Sequence, residues 1–351
     1  MGLKKSIKIN RKIIGDRYKS FIIAEIGQAH GGSFKKALKY IDLISKTGAD
    51  AIKFQTHIAD AESTLDEPFR VSFSKKFKSR YQYWKAMEFS FSEWKKISNY
   101  SKKKGLIFLS SPFSVEGVNL LNSLGVKALK IGSGEFFSKN VISAMIKTKK
   151  PLILSTGMSK MSEINKMAKI FEKKSVKYAI LQCTSLYPSS LKTIGLNILH
   201  DLKKKYNCPI GLSDHSGSIY SGLAALAYGA NILEVHVTTN YKSINPDMSS
   251  SINLQELETL CKARDAFYEI QTHPIDKDKI SSKLHKMKKI FGKSIALKKN
   301  LQVDSILTLN NLTTKKPGFG IPEDKIKKLI GKKLKKSVSK YRLLKWTDIY
   351  A

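Results

Sequence analysis

Apolar residues gather in eight short runs along the chain, at 21–26, 51–54, 106–109, 128–131, 152–154, 178–181, 209–212 and 232–235. A run without polar alternation predicts a strand buried on both faces, as in a parallel sheet. Between the runs lie segments with apolar residues at helical spacing, at 34–47, 92–104, 115–124, 139–147, 162–173 and 221–229. Strand alternating with helix predicts the α/β class, and eight repeats predict closure into a (β/α)8 barrel. An open doubly wound sheet is the alternative. No Gly-rich dinucleotide fingerprint follows the first run, which counts against it.

The pattern breaks in four places. Residues 7–17 alternate around Asn10-Arg11, which predicts a hairpin plugging the barrel bottom. Residues 59–83 are polar and aromatic without a period, and read as a long loop on the face that carries the chemistry. Helical spacing ends after 257–268. The barrel is therefore assigned to residues 1–270, followed by a linker at 271–290 that carries a short helix. The tail, 291–351, has short strand-like runs at 294–297 and 306–307, the turn Pro317-Gly-Phe-Gly-Ile-Pro322 and a helix near 323–330. It reads as a small, mostly β domain.

Charge adds a question. Among 351 residues, 63 Lys+Arg face 28 Asp+Glu, for a net charge of +35. The lysines are spread over the polar faces of the helix-like segments, and no aromatic-interleaved basic stripe, helix-turn-helix pattern or zinc-finger spacing accompanies them. They read as a solvated surface rather than a specific nucleic-acid site. A basic nucleic-acid-binding protein is kept as the alternative from another class. No apolar run is long enough for a bilayer, and the N-terminus lacks a secretory apolar core. The loose Gly2…Ser6 myristoylation pattern is too short to weigh. Three scattered cysteines, Cys183, Cys208 and Cys261, favour a reduced cytoplasmic setting over a disulfide framework.

In a barrel, residues at the strand carboxyl ends line the site. Here they are Glu25; Lys53 and Gln55; Ser110 and Ser111; Lys130, Ser133 and Glu135; Ser155 and Thr156; Gln182 and Thr184; Ser213, Asp214 and His215; Glu234 and His236. Every strand delivers polar groups to one rim. Lys53 and Lys130 with Ser111, Ser133, Ser155 and Ser213 form a cradle for phosphate and carboxylate, since a buried cation needs an anion. Glu25 reads either as a general base or as the ion-pair partner of Lys53. His215 and His236, at adjacent strand ends, suit a divalent transition metal.

These residues sit in recognisable motifs. Ile23-Ala-Glu-Ile-Gly27, Ile52-Lys-Phe-Gln-Thr-His57, Lys130-Ile-Gly-Ser-Gly-Glu135, Leu154-Ser-Thr-Gly-Met158, Cys183-Thr-Ser-Leu-Tyr-Pro188, Gly211-Leu-Ser-Asp-His215 and Pro246-Asp247 resemble the sialic acid synthases. That family covers N-acetylneuraminate, legionaminate and pseudaminate synthases, and the resemblance spans nearly the whole chain. The tail, with Lys316-Pro-Gly-Phe-Gly320, resembles its antifreeze-like domain. The resemblance implies a transferase that condenses phosphoenolpyruvate with an N-acylated hexosamine, N-acetylmannosamine or a diacetamido sugar. The product is a nine-carbon 2-keto-3-deoxy acid, and phosphate leaves by C–O cleavage. It implies that His215 and His236 hold a divalent metal, manganese first, with magnesium and cobalt as alternatives. It implies that Glu25 contacts the sugar and assists proton transfer, that Lys53, Ser111, Lys130, Ser133, Ser155 and Ser213 hold phosphoenolpyruvate, and that Gln55, Glu135, Tyr187 and Asp247 lie near the sugar. It also implies a homodimer in which the tail presents Lys316 to the partner's site.

The chain departs from the family pattern at Ala29-His30, where Asn-His is usual, at Val235, where a cation is usual, and at Lys316, where arginine is usual. Lysine lacks arginine's bidentate fork. Residues 60–70 are the expected seat of acceptor specificity. A synthase acting on a phosphorylated sugar is the nearest rival; it needs a second phosphate site, and the sequence offers no extra arginine cluster at the rim.

Overall fold

The computed structural model describes residues 6–69, 76–239 and 245–350. The Gly2 pattern and residue 70 of the specificity stretch lie outside them. The chain divides into two compact units, Met1–Thr272 and His273–Ala351.

The first unit is a parallel barrel. After a hairpin of β1 (Ser6–Ile9) and β2 (Lys12–Gly15), its strands are β3 (Phe21–Gly27), β4 (Ala51–Thr56), β5 (Ile107–Pro112), β6 (Leu129–Ile131), β7 (Leu152–Ser155), β8 (Tyr178–Cys183), β9 (Ile210–Asp214) and β10 (Ile232–Val237). The ladder runs β5-β4-β3-β10-β9-β8-β7-β6, and all neighbours in it are parallel. β5 and β6 approach each other at the seam without entering one ladder among the described residues. A short strand, β11 (Ser251–Ile252), adds to β10 beside His236 and Val237.

Helices fill the crossovers: α1 (Phe34–Ile44), α2 (Ala59–Glu62), α3 (Arg80–Met87), α4 (Phe91–Lys103), α5 (Val115–Ser123), α6 (Lys139–Lys147), α7 (Met161–Lys173), α8 (Leu196–Lys205), α9 (Ile219–Ala227) and α10 (Leu254–Thr272). Serines start several of them. Ser33, Ser90 and Ser114 each accept the backbone N–H three residues on, and Ser90 with Glu93 forms a full capping box. The stretch expected as an open loop, 59–83, thus contains α2 and the start of α3.

The period of two in a strand divides the core. Ile22, Ala24, Ile26, Ile52 and Phe54 join the outer core shared with the helices. Phe21, Ile23, Ala51, Ile107, Leu109, Ala128, Ile153, Ala179, Leu181 and Ile232 have the other parity. They form an inner core together with Ile7, Ile9 and Ile14 of the hairpin. The plug is therefore real: the hairpin fills the barrel's lower interior with aliphatic side chains.

The second unit opens with α11 (Lys277–Lys283) and α12 (His285–Phe291), where a linker with one short helix was expected. The hairpin of β12 (Ser294–Leu297) and β13 (Leu312–Lys315) follows, with isolated bridges such as Leu301↔Val338 and Leu334↔Ile349. Its core is Ile295, Leu297, Leu307, Leu312, Ile321, Leu329, Leu334, Val338, Leu344 and Ile349. The expected helix near 323–330 is a 3-10 turn, Glu323–Lys328.

Candidate active site

Counting upward in twos from the inner core leads to the site. Phe21 and Ile23 are followed by Glu25; Ala51 by Lys53 and Gln55; Ile107 and Leu109 by Ser111; Ala128 by Lys130; Ile153 by Ser155. Ala179 and Leu181 lead to Cys183, Gly211 to Ser213 and His215, and Ile232 to Glu234 and His236. Register aligns them across strands, with Glu25 opposite Lys53 on one side and His236 on the other. The same inward face that is aliphatic below is polar and charged above.

A cavity of about 500 Å³ opens there. Lys53, Gln55, Ser111, Lys130, Ser133, Glu135, Ser155, Tyr187, Ser213, His215, His236 and Asp247 all line it. Glu25 does not; it lies behind the wall, buried, with Lys53 Nζ 2.5 Å from its Oε2 and Gln55 Nε2 donating to its Oε1 at 3.2 Å. The ion-pair reading of Glu25 is the one its contacts match. Gly27 makes this crowding possible. It has φ +48, and a Cβ there would meet Asp247 Oδ2 at 3.2 Å, Glu25 Oε1 at 3.3 Å and Gln55 Nε2 at 3.4 Å. Lys316 belongs to the second unit, where its ammonium lies 5.4 Å from the Phe291 ring centroid.

The floor is a chain of alternating charge. Glu25 pairs with Lys53, Lys53 lies 3.9 Å from Glu234, and Glu234 lies 3.3 Å from Lys130. Lys53 also donates to Ser111 Oγ at 3.2 Å, Lys130 to Ser155 Oγ at 2.6 Å, and Ser213 Oγ to Glu234 at 3.0 Å. All four charged side chains are almost fully buried. Burial alone would raise the Glu234 carboxyl, but Lys130 and Lys53 outweigh it and hold it at about 2. Burial would lower Lys53, yet Glu234 and Glu25 lift it above the ordinary lysine value. Lys130 goes the other way. Burial wins there, Lys53 adds its repulsion, and the ammonium is lowered despite Glu234.

Across the cavity stand the imidazoles. His215 and His236 have ring centroids 5.2 Å apart, and Tyr187 lies 4.1 Å from His215. His215 Nδ1 is 3.0 Å from the carbonyl of Thr184, which can only accept, so that nitrogen carries the hydrogen and Nε2 keeps its lone pair. Burial, then His236, lowers His215 to about 3 and keeps it neutral. Asp247 Oδ2 is 3.9 Å from His236 Nδ1. Among the described residues, no group of three or more His, Cys, Asp or Glu is arranged to hold a metal ion. His215 and His236 are the side chains on this wall whose ring nitrogens could hold a divalent ion.

The remaining members follow from loops. Ser133 accepts from Gly157 N–H at 3.0 Å and donates to Cys183 Sγ at 3.6 Å. Burial raises Glu135 above the usual carboxylate value. Sequence reading missed the central place of Glu234, although the parity of β10 points to it. It also missed Cys183, and a wall built from His57, Glu62, Arg80, Trp84 and Phe113.

Comparison with known proteins agrees with this geometry. Residues 40–274 match the NeuB family, and 292–349 match the SAF domain. The chain is 33% identical to the N,N'-diacetyllegionaminic acid synthase of Campylobacter jejuni, over 93% of this chain and 99% of that one. It is 30% identical to the human N-acetylneuraminate-9-phosphate synthase, over 92% and 90%. Among solved structures, the N-acetylneuraminic acid synthetase of Leptospira borgpetersenii, in complex with citrate, superposes with a TM-score of 0.71 at 30% identity. That likeness covers 81% of this chain and 97% of the other. A family match across more than half the chain, with barrel and tail each recognised, makes this protein a member of the NeuB family.

Proposed function

We propose that the enzyme condenses phosphoenolpyruvate with the open-chain aldehyde of an N-acylated amino sugar, giving a nine-carbon 2-keto-3-deoxy acid and inorganic phosphate. The observation that carries this reading is the pair Lys53 and Lys130, each bound to a serine hydroxyl on the floor of a polar cavity and facing an imidazole pair. Lys130 with Ser155 and Lys53 with Ser111 hold the phosphate and carboxylate of phosphoenolpyruvate. An anion there would lie beside both ammoniums and both serine hydroxyls. C3 of the enolpyruvate then attacks the aldehyde carbon, and the aldehyde oxygen takes up a proton. A water oxygen bonds to C2 and loses both its protons, one ending on the new hydroxyl and one on phosphate; it becomes the keto oxygen as the C2–O bond to phosphate breaks with its electron pair leaving on phosphate. The lysine ammoniums stabilise that leaving charge. Glu135, whose carboxyl burial raises above the usual carboxylate range, and Asp247, Gln55 and Tyr187 face the acceptor. A divalent ion held by His215 and His236, manganese by our reading, supplies Lewis acidity toward the aldehyde.

The test is phosphate release that requires both substrates, with the product mass giving the sugar. Lys130→Met should raise the KM for phosphoenolpyruvate by roughly tenfold or more, as expected for one charge-assisted hydrogen bond. Chelation should abolish turnover, and manganese should restore it. Full activity of metal-free, chelated protein refutes the metal. A phosphorylated acceptor is the second reading, favoured by Arg80 on the cavity wall, although Glu67 already pairs with it at 3.1 Å. Parallel assays with free and phosphorylated sugars separate the two.

The proposal includes a cytoplasmic homodimer that uses Lys316 of one chain at the other's site. Mixed Lys316→Ala and His236→Ala chains should then recover part of the activity. Heterodimers without recovery exclude the exchange. Among the described residues, no helix is long and apolar enough to cross a membrane.

A further inference from the structure

His57 follows β4 and is 4% exposed. Its ring lies between two others: Trp84 of α3, at 3.8 Å and 10°, and Phe113, just after β5, at 4.3 Å and 8°. Arg80 lies over the Trp84 ring, 5.0 Å from its centroid. Glu67 fastens this stack by accepting from the Trp84 indole N–H at 3.1 Å and pairing with Arg80. Both edges of the imidazole are used as well. Nδ1 meets the carboxylate of Glu62, and Nε2 is 3.3 Å from Gln55 Oε1.

Donor accounting orients these groups. Glu25 Oε2 is held by Lys53, and its Oε1 accepts from Gln55, so the Gln55 amide turns its NH2 toward Glu25. Gln55 Oε1 then faces His57 and can only accept, so His57 Nε2 carries a hydrogen, while Nδ1 and the Glu62 carboxylate hold a second proton between them. Gln28 Nε2 approaches the same Gln55 oxygen at a longer 3.5 Å. If the Gln55 amide were reversed, an oxygen would face the Glu25 carboxylate. Nε2–H of His57, on the other side of the amide, adds to Glu25 in opposing this reversal.

We infer that His57 is a positioning residue for the proposed condensation: held by Glu62 and the aromatic stack, it locks the Gln55 amide so that Gln55 restrains Glu25 and, through it, Lys53. The inference rests on the functional reading above and deepens it. It also couples the segment expected to choose the acceptor, which contributes Glu62 and Glu67, to the carboxylate under the cavity floor.

The test uses the full-length, metal-loaded protein. Wild-type enzyme is assayed first; no acceptor-dependent phosphate release there defeats the functional reading itself, separately from the role of His57. His57→Phe keeps a ring in the stack and removes both nitrogens. His57→Gln loses the ring and returns an amide N–H near the position of Nε2. A positioning role predicts that His57→Phe lowers kcat about tenfold, one hydrogen bond's worth in the transition state, with KM for phosphoenolpyruvate within twofold. His57→Gln should recover at least a third of the wild-type kcat although its Tm is lower. With Gln55→Ala already present, His57→Phe should cost less than a further twofold. The inference is overturned if His57→Phe stays within twofold of wild type, if activity follows Tm across the variants, or if the cost of His57→Phe is undiminished in the Gln55→Ala background. If His57→Phe does not fold, Glu62→Gln goes through the same cycle, and a kcat loss that persists without the Gln55 side chain overturns it equally.

Discussion

The lower and upper halves of the barrel interior are built by the same strands, on the same face, a few residues apart. Below, Ile7, Ile9 and Ile14 of the hairpin pack in one aliphatic cluster with Phe21, Ile23, Ile107, Ile153 and Ile232. Above, Glu25, Lys53, Glu234 and Lys130 are equally dry. Burying an aliphatic group is favourable at about 25 cal/mol per Å². Burying an ion costs several kcal/mol and is returned only by excellent pairing. The lower layer therefore stabilises the fold, whereas the upper layer is held in place by it. The alternating order of charges keeps the upper layer tolerable, since each ion has an opposite neighbour within 4 Å at 2.5, 3.9 and 3.3 Å along the chain.

Breaking that order should have the largest effect. Lys53→Met leaves Glu25 without its cation and should lower stability by about 3–5 kcal/mol in denaturant titrations, with turnover down on the order of a hundredfold. Adding Glu25→Gln should return most of the stability, because Glu234 still has Lys130, while turnover stays lost. If the double variant is no more stable than the single one, the charges do not act as a paired chain. The converse experiment is Ile9→Ala in the plug. It should cost about 2–5 kcal/mol through the cavity it leaves and change kcat less than twofold. A large kcat change there would mean that the two halves are not separable.

The effect of a single pH unit in acid is smaller. Burial, then His57, lowers His30 to about 3, and His215 is likewise lowered to about 3 from an ordinary 6.5. Between those values the unfolded chain binds protons that the native one refuses. Stability should therefore fall as pH drops below 6.5, by up to about 1.4 kcal/mol per pH unit for each ring, and these rings should contribute no slope above 6.5. His30→Asn should roughly halve the slope, whereas Ile9→Ala should leave it unchanged. An identical slope in wild type and His30→Asn would show that His30 does not refuse the proton.

Much of this division is legible in the sequence. The eight apolar runs coincide with the eight barrel strands, and the alternation at 7–17 is the plug hairpin. The rim residues follow because strand direction and the period of two are local properties. What escaped was non-local. Glu234 has an ordinary place in β10, and only the approach of β4 and β6 makes it the link between two lysines. The wall around His57 was unreadable because 59–83 has no period. Its order comes from stacking on Phe113, some thirty residues further along the chain than Trp84. The linker's second helix, α12, and the 3-10 turn at Glu323–Lys328 were likewise invisible to a search for longer amphipathic periods.

The strict alternation along β3 also limits how this protein can vary. Losing one residue between Phe21 and Glu25 would exchange the two faces of everything beyond it, sending the carboxylate into the helix layer and an isoleucine onto the cavity floor. Every other barrel strand that reaches the floor is under the same restriction. Insertions and deletions are therefore excluded from the strands, while point changes of like size remain open to the lower layer. Divergence in chain length must collect in the connections after the strands, above all in the stretch between β4 and α4 that supplies the wall beside Gln55.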